Sequence, residues 1–285
     1  MTAATDDMID LDGRRVRVRV RGDGRPVLLL NGIGAPLETW LPLHRHLTGL
    51  RTIAYDTLGS GRSQSPRGPL PIAGHARLAL RLLDELGYGS VAALGFSFGG
   101  LVAQELARLG ADRVDRLVLV STSCGWGGVP GPASLVALAA PEAYFSASVS
   151  ALTADRDRDR LPPRPRPRRL GHLNQFWAAA TWSSAPWLHR VRQPTLLIAG
   201  AADPIVPAGN ATILAALLPY AELHVVPGGG HLCLLERAAE LAPLLHGFLL
   251  PSAGGDRRSH WTGAPVAGTR CEPHARQHGG PIEDR

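Results

Sequence analysis

The chain has 285 residues, of which 45% are hydrophobic and 19% charged, so it can bury a large core and is not disordered as a whole. Its formal net charge is +6, but the segment 153–170 holds seven Arg against three Asp and accounts for most of that charge. The rest of the chain is close to neutral, which disfavours a nucleic-acid groove, because such a groove needs basic residues clustered on the folded surface.

The cysteines indicate whether the chain binds a metal ion or forms disulfides, and the apolar runs indicate whether it is secreted or spans a membrane. Cys124, Cys233 and Cys271 are an odd number at wide spacings, which predicts neither a metal site nor a disulfide framework. Residues 1–12 carry acids and no apolar segment, unlike a secretory signal, and no apolar run approaches the ~20 residues of a membrane span. We therefore expect a cytoplasmic protein without a membrane span, a metal ion or another cofactor.

Short apolar runs alternate with longer amphipathic segments along most of the chain, which is typical of a mostly parallel, doubly wound α/β sheet. The first run, residues 15–21, alternates Arg and Val strictly, which predicts an antiparallel edge strand with one buried face and one solvated Arg face. The segments that follow are predicted strands at 27–30, 52–55, 91–94, 114–120, 195–199 and 223–226, and predicted helices at 72–86, 99–109, 208–218 and 234–249.

Two segments interrupt this alternation. Residues 122–190 lack the rhythm of strands and helices and are rich in aromatic residues, which predicts a largely helical cap inserted between the core segments 1–121 and 191–251. Within the cap, the proline-broken run 153–170 is of low complexity and is not expected to pack. The tail 252–285, rich in Gly, Arg, His and Pro, is expected to be disordered.

The strongest local motif is Gly95-Phe96-Ser97-Phe98-Gly99, which matches the pattern G-x-S-x-G. It lies between a predicted apolar strand and a predicted helix, the context in which this motif forms a sharp turn that exposes a nucleophilic serine. Glycine on either side leaves room for the neighbouring backbone, and the helix N-terminus directs its N–H groups toward the site. Ser97 is therefore the predicted nucleophile.

A serine hydroxyl needs a base to take its proton, and that base needs an acid to orient it. In folds with this motif, the acid and then the histidine follow the serine on loops after later strands. Asp203 comes directly after the predicted strand 195–199, and His231 comes directly after 223–226. We predict Asp203 as the orienting acid and His231 as the general base, and interpret Asp56 as a carboxylate that structures its own loop.

An oxyanion hole requires two backbone N–H groups that point at the developing negative charge. Phe98, next to the nucleophile, is one predicted donor, and Ile33, in the Asn-Gly-Ile-Gly turn after the strand 27–30, is the other. Aromatic residues near these donors and in the cap are candidates for the wall of an apolar substrate pocket. These candidates are Trp40, Trp126, Trp177 and Trp182.

Together these motifs resemble the α/β-hydrolase superfamily and, within it, the intracellular medium-chain-length poly(3-hydroxyalkanoate) depolymerases. The matching stretches are LLLNGIGAPLE (28–38), TIAYDTLGSGRS (52–63), LDELGYGSVAALGFSFGG (83–100), GGVPGP (127–132), WLHRVRQPTLLIAG (187–200) and AELHVVPGGGHL (221–232). The Asn-Gly-Ile-Gly turn is the most specific, because most relatives have His-Gly there. The resemblance implies the α/β-hydrolase fold, triad roles for Ser97, Asp203 and His231, and a polyester of 3-hydroxy fatty acids as substrate.

The chain departs from the family pattern at Ala201 and Ala202, where acidic residues are usual, at Phe98, where Trp is usual, and in a shortened cap. Two classes of function therefore stay open. The first is a serine ester hydrolase that acts through an acyl-enzyme, on polyester or alternatively as a carboxylesterase, lactonase or thioesterase on soluble substrates; a perhydrolase or lyase with the same triad is a weaker variant. The second is a non-catalytic protein that retains the fold and associates with polyester granules.

Overall fold

A computed structural model describes residues 5–134 and 169–250, and the strands in these ranges form one eight-stranded sheet. The strands are β1 (Thr5–Asp10), β2 (Arg15–Arg21), β3 (Arg25–Leu30), β4 (Leu50–Tyr55), β5 (Val91–Phe96), β6 (Val114–Val120), β7 (Thr195–Gly200) and β8 (Ala221–Val226). Their order across the sheet is β1-β2-β4-β3-β5-β6-β7-β8. The β1–β2 and β2–β4 pairs are antiparallel, and every following pair is parallel.

The helices in the described ranges are α1 (Leu41–His44), α2 (Ile72–Glu85), α3 (Phe98–Leu109), α4 (Arg169–Ala180), α5 (Gly209–Leu217), α6 (Cys233–Glu236) and α7 (Ala238–Leu249). Short 3-10 helices lie at Leu37–Trp40 and Leu188–Arg190. None of these helices is both long enough and apolar enough to cross a membrane.

Helices cover the sheet on both sides, so its central strands are buried on both faces. Successive side chains of β3 point in opposite directions. Leu28 and Leu30 pack in one apolar cluster with α2, α3 and α5, whereas Val27 and Leu29 pack in another with α1, α6 and α7. The predicted doubly wound, mostly parallel α/β sheet is confirmed.

The prediction for residues 15–21 is wrong in two respects. β2 is not an edge strand, because β1, whose sequence TDDMID lacks an alternating apolar pattern, pairs with its outer side. The Arg face is not simply solvated either, since Arg17 is only 3% exposed and forms ion pairs with Asp6 (2.7 Å) and Glu38 (2.8 Å). Both carboxylates come from other segments of the chain, so the alternation within one strand could not reveal them.

The predicted elements agree with the observed ones to within two residues at most ends. The predicted helix 234–249 differs, because it consists of α6 and α7 with a break at Arg237, whose backbone angles (φ −114°, ψ 35°) are not helical. The apolar spacing continues across Arg237, so the sequence pattern carries no signal for this break.

Only parts of the predicted cap, residues 122–134 and 169–190, are within the described ranges. The last two residues of the predicted low-complexity run, Arg169 and Leu170, belong to α4. Its remaining residues and the predicted tail 252–285 lie outside the described residues. The division into core, cap and tail stays a prediction.

Candidate active site

Ser97 lies in the sharp turn between β5 and α3, with backbone angles of φ 52° and ψ −116°. Few residues with a side chain adopt such angles, so the surrounding structure must hold this one in place. A Cβ atom at Gly99 would lie 2.0 Å from the carbonyl oxygen of Leu30, and one at Gly95 would lie 2.4 Å from that of Gly99. The turn therefore requires glycine at both positions, as the motif predicts.

Hydrogen bonds to the end of β6 hold the strained residue. The Ser97 N–H donates to the carbonyl oxygen of Val120 at 2.9 Å, and the Thr122 hydroxyl donates to the carbonyl oxygen of Ser97 at 2.7 Å. Gly100 lets Thr122 approach this closely, because a Cβ atom there would lie 2.5 Å from the Thr122 side chain. The backbone of the turn is thus tied to the neighbouring strand on both sides of the serine.

His231 and Asp203 reach the serine from the loops after β8 and β7. The carboxyl ends of these parallel strands meet at the same edge of the sheet as that of β5, which brings the three loops together. The Ser97 hydroxyl lies 3.1 Å from His231 Nε2, and His231 Nδ1 lies 2.8 Å from Asp203 Oδ2. The structure therefore brings the three predicted triad residues into one hydrogen-bonded chain.

The partners of these groups determine how the protons are arranged. A carboxylate can only accept, so Nδ1 of His231 carries the proton and donates it to Asp203. Nε2 of the neutral ring then accepts a hydrogen bond from the hydroxyl of Ser97. Asp203 is itself held in place, because its other oxygen accepts the N–H groups of Ile205 and Val206 at 2.8 and 2.9 Å. Both Asp203 and His231 are buried, which shields the pair from water.

Ile33 and Phe98, the predicted oxyanion donors, line the same pocket as Ser97 and His231. Phe98 is the first residue of α3, where backbone N–H groups have no helical acceptor. Within the described part of the chain, the N–H groups of Ile33 and Phe98 donate to no protein acceptor. Both groups are thus available to a ligand oxygen.

A pocket with a volume of about 610 Å³ opens beside the serine. Its described wall is formed by Ile33, the start of α3, the segment after β6, the C-terminal half of α4 and the loop after β7. Most of these residues are apolar or glycine, and no Asp, Glu or Arg is among the described residues that line the pocket. The site is suited to an uncharged, hydrophobic group next to the reacting atom.

Of the predicted pocket residues, Trp126 lines the pocket, whereas Trp177 does not. The α4 residue that lines it is Phe176, the immediate neighbour of Trp177. Consecutive helical residues point in directions about 100° apart, so a shift of one position moves a side chain from the pocket toward solvent. The prediction for Trp177 is therefore wrong by one residue.

Trp40 and Trp182 are likewise outside the pocket wall. Trp40 is fully buried in the apolar cluster that contains α1, α6 and α7, on the opposite side of the sheet from α3. The indole N–H of Trp182 donates to Glu105 at 3.1 Å, and its ring meets that of Trp187 edge-on. Proximity in sequence to the oxyanion turn or membership of the cap does not determine where an indole points, which is why both predictions are wrong.

The segment after β6 forms a wall of the pocket, of which the sequence predicted only Trp126. Asn210 of α5 accepts the N–H of Val129 and donates to its carbonyl oxygen, each at 2.8 Å. Gly131 approaches the loop of the acid so closely that a Cβ atom there would lie 2.3 Å from the carbonyl oxygen of Pro204. The GGVPGP stretch is the signal that could have identified this wall, because such close backbone contact requires glycine.

Asp56 takes the structural role that the sequence predicts. Its two oxygens accept the N–H groups of Leu37 and Arg62, both at 2.7 Å, and it is fully buried. Burial raises the pKa of Asp56 to about 6, whereas the bonds from Arg62 and Leu37 act to lower it.

In the two described ranges, no cluster of three or more His, Cys, Asp or Glu is placed to hold a metal ion.

Comparison with known proteins agrees with this geometry. Residues 27–244 match the alpha/beta hydrolase family. The chain belongs to this family. The resemblance inferred from the motifs is confirmed, and the protein is a hydrolase.

Three relatives illustrate how far the similarity to this α/β-hydrolase extends. The chain is 38% identical over 259 residues to the poly(3-hydroxyalkanoate) depolymerase of Ectopseudomonas oleovorans, a match that covers 85% of this chain and 91% of that protein. It is 29% identical over 256 residues to a 2-hydroxymuconate semialdehyde hydrolase of Pseudomonas putida, covering 83% and 91%. The crystal structure of a hydrolase from Pseudomonas aeruginosa PA01 superposes with a TM-score of 0.69 at 29% identity, covering 86% of this chain and 98% of that one.

Proposed function

We propose that this α/β-hydrolase is a serine ester hydrolase that works through an acyl-enzyme. The observation that carries the proposal is the continuous chain of hydrogen bonds from Ser97 through His231 to Asp203, beside an apolar pocket. A serine hydroxyl is a weak nucleophile unless a base removes its proton as the new bond forms, and this chain supplies the base and its orienting acid.

In the acylation step, Ser97 Oγ attacks the ester carbonyl carbon while His231 Nε2 takes the hydroxyl proton. Asp203 stabilises the resulting imidazolium through its bond to Nδ1. The negative charge that develops on the carbonyl oxygen is received by the N–H groups of Ile33 and Phe98. When the tetrahedral intermediate collapses, the alcohol leaves with the proton from His231, and the acyl group remains on Ser97.

In the deacylation step, water attacks the acyl carbonyl while His231 takes one of its protons. The second tetrahedral intermediate uses the same two N–H donors. Its collapse breaks the bond to Ser97 Oγ, which regains its proton from His231, and releases the carboxylic acid.

We infer that the substrate is a poly(3-hydroxyalkanoate) with side chains of medium length. Two observations support this inference: the described pocket wall is mostly apolar and contains no Asp, Glu or Arg, and the relative from Ectopseudomonas oleovorans is named for this activity. Soluble esters, lactones and thioesters share the same core chemistry, so a panel of substrates must separate them from the polymer.

Labelling with a fluorophosphonate tests the nucleophile, because only an activated serine reacts with it. Ser97→Ala should lose both labelling and esterase activity while keeping the wild-type melting temperature. Ser90→Ala, which changes an exposed serine in the loop before β5, is the matched control and should retain both. An unlabelled wild-type protein would favour the non-catalytic alternative, and full turnover by Ser97→Ala would refute the assigned role.

A series of p-nitrophenyl esters tests the substrate class. Each buried methylene contributes roughly 0.8 kcal/mol, or about fourfold in kcat/KM if the gain is realised in the transition state. We expect kcat/KM to rise from acetyl to about hexanoyl or octanoyl esters, and medium-chain polyester to be degraded faster than poly(3-hydroxybutyrate). Acetyl esters as the best substrates, with granules untouched, would refute the depolymerase assignment and leave the serine hydrolase assignment intact.

We further propose that the protein associates with polyester granules. Leu170, Leu173 and Trp177 lie on one side of α4 at a spacing of three and four residues, and are 78%, 62% and 43% exposed. Leu173→Asp should weaken co-sedimentation with amorphous granules and leave the hydrolysis of a soluble ester unchanged. Leu250→Asp, at an exposed leucine after α7, is the control, and an equal effect of both variants would contradict this proposal.

A further inference from the structure

Helix α4 approaches the core closely at two glycines. A Cβ atom at Gly171 would lie 2.2 Å from the carbonyl oxygen of Gly59, in the loop after β4. A Cβ atom at Gly34, in the Asn-Gly-Ile-Gly turn, would lie 2.0 Å from the ring of His172. The helix therefore rests on the turn that carries Ile33 as well as on the loop after β4.

Gln175 makes the polar contacts at this junction. Its side chain is fully buried, its Oε1 accepts the N–H of Gly34 at 2.8 Å, and its Nε2 donates to the carbonyl oxygen of Leu58 at 3.0 Å and to the Ser60 hydroxyl at 2.9 Å. The amide thus joins the cap helix to two separate loops of the core.

The conformation of the turn shows what the bond to Gly34 controls. The carbonyl oxygen of Gly32 accepts the N–H of Ala35 at 3.2 Å, and Gly34 has a φ of +68°. These features define a type II turn with Ile33 and Gly34 at its centre. Types I and II differ by a flip of the central peptide, which here is the peptide that carries the Gly34 N–H.

The same turn directs the Ile33 N–H. In a trans peptide the C=O and N–H groups point in opposite directions. Because the Gly32 carbonyl points into the turn toward Ala35, the N–H of Ile33 points out of it. Types I and II share this hydrogen bond, so the Gly32–Ala35 bond sets the direction of the Ile33 N–H, whereas its position depends on where the whole turn is held.

We propose that Gln175 is a positioning residue for the oxyanion hole: by holding the Gly34 N–H, it anchors the turn to α4 and so fixes the position from which the Ile33 N–H reaches the substrate oxygen. This inference rests on the proposed serine hydrolase function. Helix α4 would then serve the site in two ways: Gln175 positions the oxyanion turn, and Phe176 and Ala179 of the same helix line the pocket.

The test compares Gln175→Leu with Asn174→Leu. Asn174 is the adjacent residue of α4. It donates to the carbonyl oxygen of Gly68 at 3.0 Å and accepts the N–H of Leu70, and within the described ranges it forms no hydrogen bond with the oxyanion turn. Both variants remove bonds between cap and core, but only one removes the bond to Gly34. Each is measured by kcat and KM on a soluble ester, by melting temperature, and by the Ki of an alkyl trifluoromethyl ketone, which forms a tetrahedral oxyanion adduct with an activated serine.

We expect Gln175→Leu to lower kcat and weaken trifluoromethyl ketone binding by about tenfold or more, a part of the ~10²–10³-fold effect of deleting an oxyanion donor. KM should change much less, because the acyl pocket is intact. Asn174→Leu should stay within about twofold of the wild type. Equal effects of the two variants, or a lower kcat with an unchanged Ki, would overturn the proposal.

Gln175→Glu keeps the proposal testable if the Leu variant does not fold. A protonated carboxyl has one acceptor and one donor and can replace the amide, whereas a carboxylate cannot donate to Leu58. Relative to wild type, kcat and ketone affinity of Gln175→Glu should both rise as the pH falls from 8 to 5.5. Ratios that do not change with pH would overturn the proposal, and an unlabelled Ser97 in the wild type would instead refute the hydrolase function.

Discussion

Replacing His75 with Leu should stabilise the fold, and the gain should increase as the pH falls. His75 of α2 is 1% exposed and lies edge-on to the ring of Phe98, with the centroids 5.3 Å apart. Neither ring nitrogen has a hydrogen-bond partner among the described residues. An unpaired polar group in the core costs roughly 1–3 kcal/mol, so an apolar side chain of similar size should raise the free energy of unfolding at pH 7 by about 1–2 kcal/mol.

The pH dependence follows from the histidine pKa. Burial lowers the pKa of His75 from 6.5 to about 4. Between these two values the unfolded chain binds a proton that the folded protein does not, so this histidine reduces stability progressively as the pH falls. Across the whole window the loss is about 3 kcal/mol, at ~1.4 kcal/mol for each pKa unit. His75→Leu removes this loss, and its advantage over the wild type should approach roughly 4–5 kcal/mol near pH 4.

Urea unfolding followed by tryptophan fluorescence measures this difference at pH values from 7.5 down to 4.5. His189→Leu, at an exposed histidine of the 3-10 helix Leu188–Arg190, is the control. Other buried groups, such as His44, are common to all three proteins and cancel in the comparison. A destabilised His75→Leu variant at pH 7, or an advantage that is the same at every pH, would show that His75 is not an unpaired neutral side chain.

Two further stability predictions use pairs of matched variants and the same unfolding measurement. Gly99→Ala should destabilise the protein by about 3 kcal/mol or more, because the new Cβ would meet backbone atoms that cannot move. Its control, Gly247→Ala in α7, has open space around the Cβ and should stabilise by about 0.5–1 kcal/mol through helix propensity. Equal outcomes for the two variants would contradict the steric explanation. Arg17→Met should cost about 3–5 kcal/mol, because it leaves the buried Asp56 without its cation and Glu38 with Arg19 alone. The exposed Arg15 of the same strand should tolerate Met within about 0.5 kcal/mol, and similar losses at both positions would argue against a role for the buried ion pairs.

The sequence alone predicted the doubly wound sheet and the elements that carry the candidate site. Apolar periodicity depends on each segment's own residues, so strands such as β5 and helices such as α3 are recognisable without their neighbours. The turn at Ser97 is equally local, because its two glycines are needed by the backbone within a few residues. The meeting of Ser97, Asp203 and His231 could be predicted as well, because each residue comes directly after a predicted strand and parallel strands place their following loops at the same edge of the sheet.

Contacts between segments that are far apart in the chain could not be predicted from the sequence and are visible only in the tertiary structure. Nothing in TDDMID predicts a strand, yet β1 forms one by pairing with the outer side of β2, where Asp6 also forms an ion pair with Arg17. In the same way, the spacing of aromatic residues could not show that Phe176 rather than Trp177 faces the pocket, since this depends on how α4 is rotated.

The bond between Gln175 and Gly34 is the clearest case, because the two residues are 141 positions apart in the chain. The residues around a glutamine in the sequence do not indicate which group its amide will bind. The Asn-Gly-Ile-Gly motif is likewise recognisable without Gln175, so neither segment predicts the contact. Glycine at positions 34, 59 and 171 is visible in the sequence, but only the close approach of α4 explains why each must be glycine: Gly59 and Gly171 meet backbone to backbone, and Gly34 meets the ring of His172. The sequence thus specifies the candidate triad and the turn that carries the Ile33 N–H. The packing of α4 against the core determines that Gln175 is the residue that holds this turn in place.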